Sequence, residues 1–564
     1  MGIPSYFSYI VKNHIKIIRR FNRKTQKVSN LYMDCNSIVY DSVRSIDFSA
    51  VSPENTNRVI SKAVIAKIEE YISIIAPTQN VMIAFDGVAP VAKMDQQRTR
   101  RYKSWYQTQM TSTLTHVQEK RPQEHRPQPE EKRVQEPWNT TAITPGTAFM
   151  RELNHHVQIH FSDKNRRTTY RKMILSTSDE VGEGEHKIFQ YIRSHSHEHA
   201  EDSTTVIYGL DADLIMLSIN HLPVSPNTHL FRETPEFIKS IDNSLEPNET
   251  YLMDIPELSR AIMSDMNNET FSSTSKKSDN KHETVNRVYD YIFLCFFLGN
   301  DFMPHFPAVN IRTGGIEKML SAYKSTLGGT SEFITDGTTI HWKNVRKVVA
   351  FLAEREEEYL KAEMKLREKK GRYYYPTDTV EQRLAKFEAT PMIERAAEQY
   401  INPSMDGWEA RYYKTLHKVD VSDTGTGVDD LRVKQISVNF LEGLEWTMKY
   451  YTLGCVDWRW SYHYHYPPLL KDLLKHIPYF EHEFVAPKAM NPVSPYVQLC
   501  YVLPHASLHF LPANIAARLD KEKYPLDARF VWSFSKYFWE SHVDLPEIDI
   551  DELERMVTYT ESEI

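Results

Sequence analysis

From residue 1 to about 320, short apolar runs alternate with longer stretches of helical spacing. Leu31-Tyr-Met33, Val81-Met-Ile-Ala-Phe85 and Val206-Ile-Tyr208 are the clearest short runs. Strand and helix signals in alternation predict an α/β architecture, a largely parallel twisted central sheet flanked by helices. Tyr291-Ile-Phe-Leu-Cys-Phe-Phe-Leu298 is apolar all round, hence a buried helix, and Gly299-Asn-Asp301 marks where it breaks.

Further along the pattern changes. Residues 345 to 372 read as one long charged helix, and Asp420 to Asp430 as a polar linker. An aromatic-rich unit begins near 431 and holds Trp446, Trp458, Trp460 and the alternating run Tyr462-His-Tyr-His-Tyr466, which suggests a strand edge. The chain therefore divides into residues 1–330, a helical connector and linker at 331–430, and a second, helical to mixed region at 431–564 packed against the first. Residues 107–138 and 264–284 are polar with no apolar periodicity and read as mobile inserts or the frayed end of a charged helix.

Composition bounds the rest. A chain of 564 residues with 41% hydrophobic content can build one large or two medium cores. No run of about 18 apolar residues occurs, so no membrane span is expected. The start Met1-Gly-Ile-Pro-Ser-Tyr6 lacks the layout of a signal peptide, and Tyr6 breaks the myristoylation pattern. Cys35, Cys295, Cys455 and Cys500 are far apart, which indicates neither a disulfide framework nor a zinc site and fits a reducing compartment. The net charge of −7 argues against a polyanionic partner until its distribution is read: Lys93, Arg98, Arg100, Arg101 and Lys103 fall within eleven residues.

The chemistry lies in the acids that end apolar elements. Asp34, Asp86 and Asp211 each follow a strand run within three residues. Ligand crevices of open α/β sheets lie beyond the carboxyl ends of the strands, so these three converge. Gly182-Glu-Gly-Glu-His186 adds Glu183 and Glu185, Gly209-Leu-Asp-Ala-Asp-Leu214 adds Asp213, and the broken helix adds Asp301. Seven carboxylates in apolar surroundings repel one another unless hard cations neutralise them, and two divalent ions would balance most of the charge. Two ions about 4 Å apart serve phosphodiester hydrolysis.

Met1-Gly-Ile-Pro4, Leu31-Tyr-Met-Asp-Cys-Asn36, Phe85-Asp-Gly-Val-Ala-Pro-Val-Ala-Lys-Met-Asp-Gln-Gln-Arg98, Ile143-Thr-Pro-Gly-Thr147, Gly182-Glu-Gly-Glu-His-Lys-Ile188, Tyr208-Gly-Leu-Asp-Ala-Asp-Leu-Ile-Met216 and Gly299-Asn-Asp-Phe-Met-Pro-His305 come in an order and spacing that resemble the signature blocks of the 5′-to-3′ exoribonuclease (Xrn) family. Glu442-Gly-Leu-Glu-Trp446, the run from Trp458 to Pro467 and Gln498-Leu-Cys-Tyr-Val-Leu-Pro504 are similar to that family's second characteristic region. The resemblance implies a PIN- or flap-nuclease-like core in residues 1–330 and an active-site channel completed by 431–564. It also implies a short member without the long carboxyl-terminal extension.

By this resemblance the seven acids match magnesium-binding catalytic residues, with two Mg2+ and Mn2+ as a substitute. Lys93, Gln97, Arg100 and Arg101 match the pocket for a 5′-terminal monophosphate, where forked arginine donors suit phosphate oxygens. The leading base would stack on an aromatic group. Tyr40 stands where the family commonly carries a histidine, and Trp458 or Trp460 would be the opposing face. The implied protein is a processive, monomeric, cytoplasmic or nuclear exoribonuclease acting on 5′-monophosphorylated single-stranded RNA, with no membrane and no named protein partner. Two other readings stay open: a flap-type structure-specific nuclease, and a non-catalytic RNA-binding scaffold with the same fold. His186 and His305 read as structural or outer-sphere residues.

Overall fold

Strands β1 (Ile18–Arg20), β2 (Asn30–Asp34), β3 (Asn80–Ala84), β4 (Lys172–Ser176), β5 (Thr205–Tyr208), β6 (Thr228–Phe231) and β7 (Tyr251–Asp254) form one sheet in the order β1-β7-β6-β5-β2-β3-β4. In this computed structural model, which describes residues 3, 5–116, 138–163, 169–209, 211–232, 245–246, 249–267, 281–421 and 428–562, the five strands from β4 to β6 are parallel. Only β7 runs antiparallel to its neighbours β6 and β1. The three strands expected from apolar runs are β2, β3 and β5, adjacent at the centre of the sheet and buried along their whole length.

Period-two geometry sorts their side chains between two cores. Leu31, Met33, Val81, Ile83, Val206 and Tyr208 enter a core with α2 (Asn36–Ser45), α3 (Thr56–Ile75) and α5 (Ala148–Ser162). Tyr32, Met82 and Ile207 enter the opposite core with α6 (Gly184–Ser194) and α7 (Asp213–Asn220). The second core continues without interruption through the helix Lys281–Cys295 to Phe440, Leu444, Trp446 and Tyr451 of the helix Val428–Thr452. A third core joins Val88, Val91 and Met94, at the start of α4 (Val91–His116), to Val497, Leu499 and Val557 near the end of the chain.

Several sequence expectations are corrected. The long charged helix is two helices, Trp342–Ala353 and Glu356–Gly371, broken at Glu354 and Arg355. The break lets buried Glu356 accept hydrogen bonds from the amides of Leu470 (2.7 Å) and Lys471 (3.2 Å), which cap a distant helix. The expected linker is helical from Val428 onward, while residues 422–427 lie outside the described residues. The Tyr462 to Tyr466 run is not a strand; it is irregular, with Tyr462 donating to the Tyr466 carbonyl and His465 stacked on His542 at 5.0 Å. Of the expected inserts, the helix-end reading fits residues 107–116, which continue α4, and 264–266 and 281–284, which belong to flanking helices. Residues 117–137 and 268–280 lie outside the described residues.

Candidate active site

Parallel strands deliver their carboxyl ends to one edge. Asp34 is the last residue of β2, Asp86 follows β3 by two residues, and Asp211 and Asp213 follow β5, with Asp213 opening α7. Glu183 occupies the N-cap position of α6 without a side-chain capping bond, and Glu185 lies in its first turn. Asp301 comes after the 3-10 turn Phe296–Leu298, where Gly299 adopts φ +81° and a Cβ would meet the His305 amide at 2.7 Å.

Carboxylate oxygens of Asp34, Asp86 and Glu185 lie within 4.8 Å of one another, as do ligand atoms of Glu183, Glu185 and His186. Asp86 is held by three contacts: the Asn36 side-chain amide (2.5 Å), the Gly184 amide (2.7 Å) and its own amide on Asn36 Oδ1 (3.1 Å). Gly184 is required for the close approach, since a Cβ there would stand 2.5 Å from Asp34 Oδ1.

Electrostatics join the remaining acids to these. Burial, then Asp86 and Asp211, push the Asp34 carboxyl well above its usual range. Burial, then Glu183 and Asp34, do the same to Glu185. Asp213 is pushed up to about 7 by burial, with Asp301 and Asp211 adding to it. Asp34 Oδ1 and Asp213 Oδ1 are fully buried with no hydrogen-bond partner among the described residues. Ligands that are carboxylate oxygens but for the His186 nitrogen, mutual repulsion and buried unpartnered lone pairs fit hard divalent cations, which the cluster could bind.

The structure brings all seven predicted acids to one place and puts Lys93 among them. Its ammonium bridges Glu183 (2.5 Å) and Asp301 (2.7 Å), so part of the negative charge is already neutralised by the chain. The other expected phosphate ligands continue the same face of α4 at helical spacing from Lys93: Gln97, Arg100 and Arg101. Gln97 Oε1 and Arg101 Nη1 are buried without partners among the described residues. Burial lowers the Arg101 guanidinium to about 10, which leaves it charged at neutral pH.

The stacking candidates separate. Tyr40, on α2, is half-buried and close enough to Arg101 to act on it electrostatically. Trp460 is 9% exposed and closes a ladder of rings: Trp460 on Trp446 (5.0 Å), Trp446 on Tyr450 (4.8 Å), Tyr450 on His186 (3.7 Å). Trp458 is more open, and its carbonyl receives the Val91 amide (3.0 Å) at the start of α4.

Sequence reasoning missed three supports. Asn36, two residues after Asp34, carried a local signal that could have found it. Lys187, whose ammonium donates to the carbonyls of Phe85 and Thr177 (both 2.8 Å), ties the ends of β3 and β4 together from inside. Tyr450 donates to Glu183 Oε1 (2.8 Å) from 267 residues away, and nothing in its own segment announces that role.

Comparison with known proteins gives the family. The family model described as "XRN 5'-3' exonuclease N-terminus" matches residues 1–234, and the model described as "Xrn1 helical domain" matches residues 281–400 and 377–564. The chain belongs to the XRN 5′-3′ exonuclease family and is a nuclease of that class. It is 26% identical to the 5′-3′ exoribonuclease 2 homolog of Drosophila melanogaster, over 97% of this chain and 70% of that protein. It is 26% identical to 5′-3′ exoribonuclease 2 of Gallus gallus (97% and 69% covered) and 25% identical to 5′-3′ exoribonuclease 1 of Saccharomyces cerevisiae (93% and 40%). The solved structure "The catalytic core of Rad2 in complex with DNA substrate (complex III)" aligns over 84% of this chain and 99% of its own at 13% identity and a TM-score of 0.30, too low to bear on the fold.

Proposed function

We propose that this chain is a magnesium-dependent, processive 5′-to-3′ exoribonuclease that degrades 5′-monophosphorylated single-stranded RNA to nucleoside 5′-monophosphates. The observation that carries the reading is the adjacency of seven converging acids to a helix face bearing Gln97, Arg100 and Arg101, two of whose buried polar atoms have no partner among the described residues.

Asp34, Asp86, Glu183, Glu185, Asp211, Asp213 and Asp301 would hold the ions, two Mg2+ with Mn2+ able to substitute. When bound, such ions supply charge neutralisation and Lewis acidity at a phosphodiester. The chain's own groups do the positioning. Asn36 and the Gly184 amide fix the Asp86 carboxylate, and Tyr450 fixes that of Glu183. Arg100 and Arg101 grip the terminal phosphate by forked donors, and Gln97 adds a neutral contact. Measured from that grip, the scissile bond is the first one in, which is why hydrolysis counts from the 5′ end. Tyr40 and Trp458 would flank the leading base; the enclosure of Trp460 against Trp446 supports Trp458 over Trp460.

The protein acts as a monomer in a reducing compartment, the cytoplasm or alternatively the nucleus; four unpaired thiols support this placement. No helix among the described residues is long and apolar enough to cross a membrane. The test is mononucleotide release with magnesium from a 5′-monophosphorylated RNA, with a 5′-hydroxyl RNA and a DNA flap as controls. Wild-type protein releases product and Asp211→Ala does not; equal, negligible release by both removes the reading, and preference for the flap replaces it.

A further inference from the structure

Tyr373, Tyr374 and Tyr375 follow one another at the end of the helix Glu356–Gly371, and the first two are 69% and 78% exposed. Lys365, Lys369, Lys370 and Arg372 flank them, all exposed; the acid among them, Glu368, pairs with Arg372 at 2.6 Å. The helix macrodipole accounts for cations at this end. It gives no reason to leave consecutive tyrosine rings in water.

A second aromatic segment adjoins the first. Tyr537 and Trp539 lie with rings parallel within 16° and centroids 6.1 Å apart, and Lys536 sits over the Tyr537 ring at 4.5 Å. The two segments are fastened together from below. Buried Arg367, six residues before Tyr373, donates to the Ser535 carbonyl (2.7 Å) and to both oxygens of Glu398 (2.7 and 2.9 Å). Tyr375 is pushed up by burial and by its neighbours Tyr373 and Tyr537, which places the segments side by side. The far side of the second segment is held by α4: Lys103 donates to the carbonyls of Trp539 (2.7 Å) and Ser541 (2.8 Å). Lys103 is two residues beyond Arg101, so the aromatic surface continues from the phosphate-gripping helix outward.

We infer that Tyr373, Tyr374, Tyr537 and Trp539, with Lys369, Lys370 and Lys536, form a surface track for single-stranded RNA outside the active site. Rings accept the π-face of any base and the lysines meet phosphates, so the track holds RNA without reading its sequence. Its rigidity comes from the Arg367 and Lys103 fastenings. The inference rests on the exoribonuclease reading above and deepens it.

The experiment uses full-length protein and 5′-monophosphorylated RNAs of five and thirty nucleotides. Binding is read by fluorescence anisotropy in EDTA, and turnover by mononucleotide release in magnesium. The Tyr373→Ala/Tyr374→Ala variant binds the thirty-mer about tenfold more weakly, while its five-mer binding, five-mer turnover and melting temperature match wild type. Tyr373→Phe/Tyr374→Phe, which keeps the rings, binds the thirty-mer like wild type. Undiminished thirty-mer binding by the alanine variant overturns the track, and is the result expected if the tyrosines dock a protein instead. Wild-type protein that binds RNA with the predicted length dependence but releases no mononucleotide leaves the track standing and removes the exoribonuclease reading.

Discussion

The sheet half of the molecule and the helical, aromatic half handle buried charge in opposite ways. At the strand ends, Asp34, Glu185 and Asp213 are buried against one another, pushed above their usual range, and two of them leave an oxygen without a partner among the described residues. In the helical half, Glu356 is equally buried but receives two backbone amides, and Glu398 receives Arg367 and Arg395. At Glu356 and Glu398 the chain itself satisfies the buried charge, and the burial stabilises packing. Burial at the strand ends leaves repulsion and lone pairs that an added cation could satisfy. The difference teaches where to look for function: mutually repelling buried carboxylates gathered at one sheet edge mark a candidate ligand site.

The largest test of this contrast removes an acid from each half. Asp34→Asn lowers single-turnover release of mononucleotides by more than about 100-fold, since even outer partners of a metal site cost 10–100-fold. The same change raises the melting temperature of the chelated protein because repulsion is relieved. A fall in melting temperature would show that the cluster is structural.

Tyr450 is the helical half's reach into the cluster, and breaking it costs less. Tyr450→Phe keeps the ring ladder with His186 and Trp446 but drops the bond to Glu183. Release falls about 10-fold and the magnesium concentration for half-maximal rate rises, the scale of an outer-sphere contact. Unchanged magnesium dependence would make the contact incidental.

Stability against pH sharpens the contrast further. Asp213 sits at about 7 in the fold against an ordinary 3.8, so the folded chain binds the extra proton. A carboxyl with a raised folded value loses stability as pH rises from about 4 through about 7, the interval between the two values. Asp34 and Glu185 shift in the same direction. Relative to Asp213→Asn, the melting temperature of the wild-type protein in EDTA therefore falls between pH 5 and pH 8, and magnesium suppresses the difference; coincident profiles of the two proteins in EDTA would contradict the shift.

The smallest effect belongs to Glu356, pushed up to about 8 by burial. Glu356→Ala exposes two helix amides and destabilises by about 1–3 kcal/mol, read by urea unfolding, with turnover at full magnesium unchanged. Glu356→Gln, which keeps an acceptor, loses less.

The central strands were readable because their signal is local. A run such as Val206-Ile-Tyr208 excludes water on both faces wherever it lies, and an acid just beyond it falls at the sheet's edge. The acids were legible for the same reason. The long charged helix was not legible as two, because the partners Glu356 meets at the break, Leu470 and Lys471, lie more than a hundred residues onward. Trp458 and Trp460 could not be told apart in sequence, since only the neighbouring ring of Trp446 decides which of them is enclosed.

What the sequence by itself determined, then, was the set of parts: three buried strands, seven acids at element ends, and a cationic helix after the second strand. Only the tertiary structure decided which charges meet. Lys93 reads in sequence as one of a group of phosphate ligands, and in the fold it lies between Glu183 and Asp301. Periodicity and burial are properties of a segment, whereas a charge's role depends on the field of every group packed around it, and that field exists only once distant segments are brought together.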